Sequence, residues 1–259
     1  MTHVNALCQR VRSFKQAGGQ WSDAFDPLIE RAPTFVEAYI AYAERPLIEK
    51  ALEPKVREFV SLALNAAATH LYAPRMRTHI AGALDAGADE DEIIEVLQLV
   101  SVIGVHASVL GIPILVDKLK HAPQGKGLDL SNADERRAAI KADFQERRGY
   151  WSEIWGGLLA LDPDFFQAFA DYSAAPWTSG KLVPKVKEFI YIAMDISSTH
   201  QFQTGTHIHI ENALNYGASI GELVEVIQLS SFLGMESFEV GLPILAEELA
   251  RRANGRVAK

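Results

Sequence analysis

One stretch of this chain occurs twice. Residues 52–115 are LEPKVREFVSLALNAAATHLYAPRMRTHIAGALDAGADEDEIIEVLQLVSVIGVHASVLGIPIL, and residues 182–245 are LVPKVKEFIYIAMDISSTHQFQTGTHIHIENALNYGASIGELVEVIQLSSFLGMESFEVGLPIL. The two align without a gap at a shift of 130 residues, so that Glu58 falls on Glu188 and His79 on His209. Six of the eight histidines lie in these windows, which makes them the place to look for function.

The repeat extends beyond these windows to the whole chain. At the same shift Trp21 falls on Trp151 and Pro33 on Pro163. We therefore predict two tandem copies of one domain, residues 1–121 and 131–251, joined by the Gly- and Pro-containing loop PQGKGLDLSN. Two copies are too few for a solenoid, so the chain is expected to be an internally duplicated pair of domains.

Each copy is predicted to be entirely helical. Apolar residues recur with the helical period, as in the stripe Phe35, Ala38, Tyr39 and Tyr42. Prolines stand where helices would begin and Gly87 where one would end, and Asp89 is placed to cap the next helix. No sustained period-two alternation or Asn-Gly hairpin signal predicts a strand.

Individual residues predict two further features of the helices. A helix led by Trp21 is expected to run to Arg31. Gly111 and Pro113 are expected to break or kink the long apolar helix that follows Asp89, because proline cannot donate to the helical ladder.

Composition restricts the class of protein. A chain of 259 residues with 48% apolar residues can bury a substantial core. No run approaches the length needed to cross a bilayer and no secretory signal is evident, so we expect a cytoplasmic protein without a membrane partner. The net charge of −8 disfavours nucleic acid as a partner, whereas a small anionic substrate remains compatible with a local cationic pocket.

The candidate site is a set of residues that both copies retain. If the turn after Ala66 makes an antiparallel helix pair, Glu58 and His79 face each other and His70 lies at the turn. A carboxylate beside an imidazole is a general acid/base arrangement. The candidate catalytic residues are Glu58, His70, His79, Glu188, His200 and His209. A buried hydrogen-bonded pair with only a structural role is the alternative.

These residues carry a family resemblance. The order of an early helical glutamate, a turn, His-x3-Ala-x3-Gly and then an acidic helix resembles the carboxymuconolactone decarboxylase family, which includes the alkylhydroperoxidase D-like proteins. The matching positions are Glu58, His79, Ala83, Gly87 and Glu95, and in the second copy Glu188, His209, Ala213, Gly217 and Glu225. The resemblance implies two tandem copies of an all-α domain of the alkylhydroperoxidase D type.

The turn departs from the peroxidase members of that family. Those members carry Cys-x-x-Cys there, whereas this chain has Leu-Tyr-Ala-Pro (71–74) and Gln-Phe-Gln-Thr (201–204). Cys8 is the single cysteine, so thiol peroxidase chemistry is excluded.

The resemblance implies a lyase that needs no cofactor and decarboxylates a small carboxylated lactone or carbonyl compound. His79 or His209 would protonate the enolate formed when carbon dioxide leaves, and the paired glutamate would set the tautomer of the ring. His70 and His200 would bind substrate oxygens. The further candidate substrate-binding residues are Tyr72, Arg75, Arg77 and His207.

Two other functions stay open. A metal site is possible because each copy gathers nitrogen and oxygen ligands: Glu58, His70 and His79, or Glu188, His200, His207 and His209. No His-Glu-x-x-His spacing supports it, and the prediction is that no metal is bound. A non-catalytic binding or scaffold protein is the second alternative. His106 and its counterpart Glu236 are more typical of structural contacts.

Self-association is expected. The apolar helix from Ile93 to Leu110 carries few charges after Glu95 and would leave a face bare. The family resemblance implies rings of three or six domains, so a duplicated chain is predicted to form a homotrimer with six domain positions.

Overall fold

The first copy folds into eight α-helices, in agreement with the prediction. The structure, a computed structural model, describes the backbone of residues 3–257 and the side chains of residues 3–254; the first two residues of the predicted domain 1–121 lie outside this range. The helices are α1 (His3–Gln16), α2 (Pro27–Arg31), α3 (Pro33–Ala43), α4 (Arg45–Glu49), α5 (Pro54–Ala66), α6 (Ala73–Asp85), α7 (Glu90–Ser101) and α8 (His106–Leu119).

The second copy repeats this order after the joint, with α3 and α4 merged into one helix. Its helices are α9 (Glu135–Arg148), α10 (Gly156–Leu161), α11 (Pro163–Ser179), α12 (Pro184–Ile196), α13 (Gln203–Asn215), α14 (Ile220–Ser230) and α15 (Glu236–Val257). No strand occurs within residues 3–257. The fold is all-α with two tandem copies.

The sequence-predicted caps form as expected around α7. Asp89 accepts from the backbone N–H of Glu92, and the Glu92 side chain accepts from the Asp89 N–H, which completes a capping box. Gly87 ends the preceding helix with a φ of 88°, a left-handed conformation that glycine adopts without a Cβ clash.

The stripe predicted on α3 is displaced by one residue. Its buried side chains are those of Val36, Tyr39, Ile40 and Ala43. Phe35 and Tyr42 are exposed by 44% and 53%. They pack instead against aromatic rings of the second copy, Phe238 and Phe232 respectively. These two aromatic side chains therefore form contacts between the copies, which the sequence of one copy alone does not predict.

Two predicted helix boundaries are wrong. The helix expected from Trp21 to Arg31 begins instead as a 3-10 turn, Asp23–Phe25, before α2. The break expected at Gly111 and Pro113 occurs earlier, in a 3-10 turn at Val102–Val105, and α8 continues through Pro113. The earlier position keeps Val102 and Ile103 in the core and redirects the chain toward the other copy.

The two copies exchange their last helices. Helix α8 of the first copy packs on α10 of the second, and α15 of the second copy packs on the 3-10 turn Asp23–Phe25 of the first. At the centre α5 packs against α12, and the fully buried Phe59 and Phe189 belong to one shared core. A smaller core around Phe144 includes Val109 of α8. The domains predicted from sequence are therefore repeats whose cores depend on each other.

Buried glutamates tie each copy to the other. Glu95 on α7 accepts from the backbone N–H groups of Lys181 and Leu182, at 2.6 and 3.0 Å, and pairs with Lys187 at 2.9 Å. Its counterpart Glu225 accepts from the backbone N–H of Leu52 at 2.9 Å. These contacts hold the segments that lead into α12 and α5, which carry the candidate site.

Contrary to the expectation from sequence that no run approaches this length, one helical stretch is long and apolar enough to cross a membrane by length and composition. It is Glu90–Leu119, and 22% of its most apolar window is buried. A single such stretch is weak evidence, and the 3-10 turn Val102–Val105 interrupts it.

Candidate functional site

The first copy brings Glu58 and His79 together as predicted. Helices α5 and α6 form an antiparallel hairpin, and Nδ1 of His79 lies 2.8 Å from Oε2 of Glu58. Gly82, one turn after His79, leaves the carboxyl group uncovered, since a Cβ there would lie 2.8 Å from it. No described residue bonds to Oε1 of Glu58, and Nε2 of His79 is buried without a partner.

The second copy forms the equivalent pair in a more closed setting. Nδ1 of His209 lies 2.6 Å from Oε2 of Glu188, and the Asn212 side chain donates to Oε1 of the same carboxylate at 3.2 Å. Asn212 stands where the first copy has Gly82. The Glu188 side chain is fully buried, whereas that of Glu58 is 28% exposed. Only the first carboxylate is open to small molecules.

An open cavity of about 650 Å³ lies beside Glu58. It is bordered by the small residues Gly18, Gly82 and Ala86, by the cations Lys50 and Arg57, and by the carboxylates of Glu53, Glu58 and Asp85. A second, smaller cavity of about 30 Å³ adjoins it and adds Gln20, Leu47 and Ser61 to the lining. Arg57 is held by Glu225 at 2.6 Å, while no described ion pair engages Lys50.

In the second copy large side chains occupy the equivalent space. Arg148, 4% exposed, lies 4.8 Å from the ring of Trp177 and 5.5 Å from that of Tyr191. The Tyr191 ring is in turn 4.7 Å from that of His209. The first copy has Gly18, Leu47 and Ser61 at the positions of Arg148, Trp177 and Tyr191. A cation–π cluster thus fills the second copy's cavity.

A second group of polar residues lies at the turn of the first copy and is satisfied by ion pairs. His70 pairs through Nε2 with Glu236, and Arg75 pairs with Glu239 through two nitrogens, at 2.7 and 3.1 Å. Both glutamates come from α15 of the other copy. Burial, followed by a hydrogen bond to Glu239, raises the pKa of Tyr72 to about 12, which keeps its hydroxyl protonated.

The same position in the second copy holds histidines and an aspartate. Nδ1 of His106, from α8, lies 2.6 Å from Nε2 of His200. Asp195 is 1% exposed, and Oδ2 of Asp195 lies 3.9 Å from Nε2 of His209. Burial raises the pKa of the Asp195 carboxyl to about 7 and lowers that of His106 to about 3, so burial favours the neutral form of each group.

The structure separates the sequence-predicted residues into groups. It joins each glutamate to its histidine but places His70 and His200 in the second polar group, where no described hydrogen bond reaches Glu58 or Glu188. Arg75 is buried and occupied by Glu239, while Arg77 and His207 are exposed and take part in neither group. The predicted metal sets, Glu58 with His70 and His79 or Glu188 with three histidines, are not brought together among the described residues.

Several site residues escaped the sequence analysis. His106 and Glu236 were assigned structural roles, yet they meet His200 and His70 across the two copies. Asn65 and Asp195 occupy equivalent positions, and each has a buried oxygen without a hydrogen-bond partner. The two copies differ at these positions: His106 corresponds to Glu236 and Asn65 to Asp195. Such polar differences next to retained residues could have indicated that the two sites differ in function.

Fold and site together define an internally duplicated all-α protein with one glutamate–histidine pair in each copy. The profile of the Carboxymuconolactone decarboxylase family matches residues 33–109 and 163–247, and the chain belongs to this family.

A solved structure supports the same relationship. The chain is 42% identical to a protein of Burkholderia xenovorans LB400, provisionally named a gamma-carboxymuconolactone decarboxylase subunit, whose crystal structure it matches with a TM-score of 0.88. The match covers 95% of this chain and 98% of that one. No curated protein matches this chain.

Proposed function

We propose that the protein is a cofactor-independent lyase that decarboxylates a small carboxylated lactone or related carbonyl compound in the first copy's cavity. The observation that carries the proposal is a glutamate–histidine pair whose carboxylate borders an open cavity in the first copy alone. Family membership supports the reaction class. The cavity also offers Lys50 as an unpaired cation for an anionic substrate among the described residues.

The proposed mechanism needs one proton transfer. The bond between the carboxylate carbon and the substrate breaks, carbon dioxide leaves, and the electron pair moves into the conjugated carbonyl group. Glu58, through Oε1, then delivers a proton to the carbanionic carbon, while His79 donates from Nδ1 to Oε2 and fixes the carboxyl group. Water in the cavity restores the proton. In this arrangement Glu58 meets the substrate and His79 is the positioning residue, the reverse of the roles expected from sequence.

The sequence-predicted anion-binding residues are not needed in this proposal. Arg75 is already neutralised by Glu239, and a substrate carboxylate would have to displace a buried bidentate pair. Lys50, at the cavity edge, takes part in no ion pair among the described residues, and Glu53 and Asp85 border the same cavity. We therefore assign substrate-carboxylate binding to Lys50.

The activity is tested with γ-carboxymuconolactone and two other carboxylated lactones as probes, by measuring release of carbon dioxide. The proposal expects turnover of at least one probe without added metal or cofactor, and equal turnover after treatment with a chelator. Failure to release carbon dioxide from all three would overturn it.

We expect replacement of Gly82 to lower the rate of decarboxylation. Gly82→Asn copies the second repeat, in which Asn212 donates to the glutamate. A hydrogen bond to a charged group contributes about 1.5–3 kcal/mol. Binding of Oε1, together with the crowding of the Glu58 carboxyl group by the new Cβ, should therefore slow turnover by roughly 10- to 100-fold. Steady-state kinetics would show it. The matched control, Asn212→Gly, should leave the rate unchanged; equal losses in both variants would contradict the assignment of activity to the first copy.

We also propose that the chain forms a homotrimer. Helices α8 and α15 expose apolar side chains at equivalent positions: Leu110, Ile114 and Leu115, and Val240, Ile244 and Leu245, all between 46% and 68% exposed. Exposed apolar patches of this kind are typical of interfaces. Three chains with two such helices each would supply six domain positions.

The trimer is tested by charge placed on these helices. Ile114→Glu together with Ile244→Glu should lower the sedimentation coefficient from that of a trimer, because an interface would have to bury two carboxylates without partners. Lys118→Glu, on an exposed residue of α8, is the control and should sediment as the unaltered protein does. An unaltered protein that sediments as a monomer would contradict the proposal.

A further inference from the structure

Three side chains from the two copies converge on one point beside His209. His106 comes from the start of α8, Asp195 from the end of α12, and His200 from the turn before α13. Each offers one ligand atom, and these three atoms lie within 4.8 Å of one another. His200 is half-buried, so the group can be reached from solvent, whereas Asp195 is almost fully buried.

One oxygen of the Asp195 carboxyl group lacks a partner. Oδ2 of Asp195 is buried and accepts no hydrogen bond. Oδ1 lies 3.9 Å from Nε2 of His106, and Oδ2 lies 3.9 Å from Nε2 of His209, distances too long for hydrogen bonds. Buried polar atoms nearly always have partners, so an orphaned carboxyl oxygen beside imidazoles is a candidate ligand atom for a cation.

The equivalent place in the first copy has a different set of polar residues. There the position of Asp195 is Asn65, and Arg75 supplies a guanidinium that binds Glu239. The second copy has Gly205 in place of Arg75, and a Cβ at Gly205 would lie 2.0 Å from Oδ2 of Asp195. The second copy has thus gained a buried carboxyl group at Asp195, while Val109 and Gly205 stand where the first site has the paired Glu239 and Arg75.

We propose that a divalent transition-metal ion binds between His106, Asp195 and His200. Two imidazole nitrogens and one carboxylate oxygen form a donor set suited to zinc, iron(II) or cobalt(II). Bonds of about 2.0–2.2 Å would require the ligand atoms to draw closer than 4.8 Å, a change that side-chain rotation can supply. Nε2 of His209 is the nearest candidate for a fourth ligand, since Glu188 holds its Nδ1 in the carboxylate–histidine arrangement common around metals.

The site does not depend on the proposed lyase activity. It lies in the second copy, whose cavity beside Glu188 is filled, and its ligands include none of the residues assigned to proton transfer. The ion would tie α8 of one copy to α12 of the other. The site can therefore be tested by measuring metal binding, without measuring lyase activity.

The test is a titration of the chelator-treated, full-length protein with cobalt(II), followed by visible absorption. We expect ligand-field bands that saturate at about one cobalt(II) ion per chain and vanish on addition of zinc(II). Asp195→Asn and His106→Ala should each weaken binding by about 100-fold or more, because each removes a ligand. Circular dichroism would verify that both variants are folded, and His200→Gln serves if one is not.

The matched control is His70→Ala, which changes the residue equivalent to His200 in the first copy. It should keep the cobalt(II) bands, because the first copy pairs His70 with Glu236 and offers no comparable ligand set among the described residues. Absence of bands in the unaltered protein would overturn the proposal. So would bands that persist in both Asp195→Asn and His106→Ala.

Discussion

Glu58→Gln is expected to reduce kcat for decarboxylation by about 10²- to 10⁴-fold, the contribution typical of a positioned acid or base. Glutamine keeps the shape of the side chain and can still accept from Nδ1 of His79, but it carries no acidic proton. The loss should therefore appear in kcat with little change in KM, since substrate binding is assigned to Lys50. Both kcat and KM are measured by steady-state kinetics with the lactone from which the unaltered protein releases carbon dioxide.

The second copy supplies the matched control for this variant. Glu188→Gln makes the same change in a pair that is buried behind Trp177 and Tyr191. It should retain the rate of the unaltered protein once thermal unfolding has shown that it is folded. A large loss in Glu188→Gln with activity kept in Glu58→Gln would contradict the assignment of the open cavity as the active site.

Glu95→Ala is expected to lower the free energy of unfolding by about 3–5 kcal/mol, the usual cost of breaking a buried ion pair. The substitution leaves the Lys187 ammonium, 2% exposed, without its carboxylate partner. It also removes the acceptor for the backbone N–H groups of Lys181 and Leu182, just before α12. Urea unfolding at fixed protein concentration should show a midpoint lower by about 1 M or more.

Asp91→Ala is the control for Glu95→Ala on the same helix. Asp91 pairs with Lys181 at 2.6 Å, but both side chains are at least half exposed. Exposed pairs contribute about 0–1 kcal/mol, so the midpoint should barely move. If the two variants unfold at the same urea concentration, the buried tie between the copies does not stabilise the fold as inferred.

The helical hairpin and its glutamate–histidine pair could be predicted from sequence. The repeat gave two independent instances of each helix, and the spacing of Glu58 and His79 across a short turn brings them together in an antiparallel pair. The exchange of α8 and α15 could not be predicted. Their apolar faces can cover either copy, and the chain changes direction before each of them in a short 3-10 turn, Val102–Val105 or Leu233–Met235.

The difference between the two sites depends on packing that no local pattern encodes. Substitution of Gly18 by Arg148 or Ser61 by Tyr191 looks like surface variation until Arg148 is seen buried among aromatic rings. Similarly, the difference between Arg75 and Gly205 can be interpreted only in the structure, where a Cβ at Gly205 would lie 2.0 Å from Oδ2 of Asp195. In both cases the residues that meet are far apart in the chain or lie in different copies.

Duplication allowed the two sites to diverge while the scaffold stayed common. The first copy keeps an accessible carboxylate, and its second polar group is closed by ion pairs with Glu236 and Glu239. The second copy closes the cavity beside Glu188 and leaves Asp195 unpaired. Each second polar group draws residues from the other copy: Glu236 and Glu239 of α15 in the first, and His106 of α8 in the second.

The most direct test is a crystal structure of the protein soaked with an unreactive, saturated carboxylated lactone. The account predicts one ligand per chain, in the cavity of the first copy, with its carboxylate at Lys50 and its ring against Glu58. A ligand bound beside Glu188 and His209, with the cavity at Glu58 free, would contradict it.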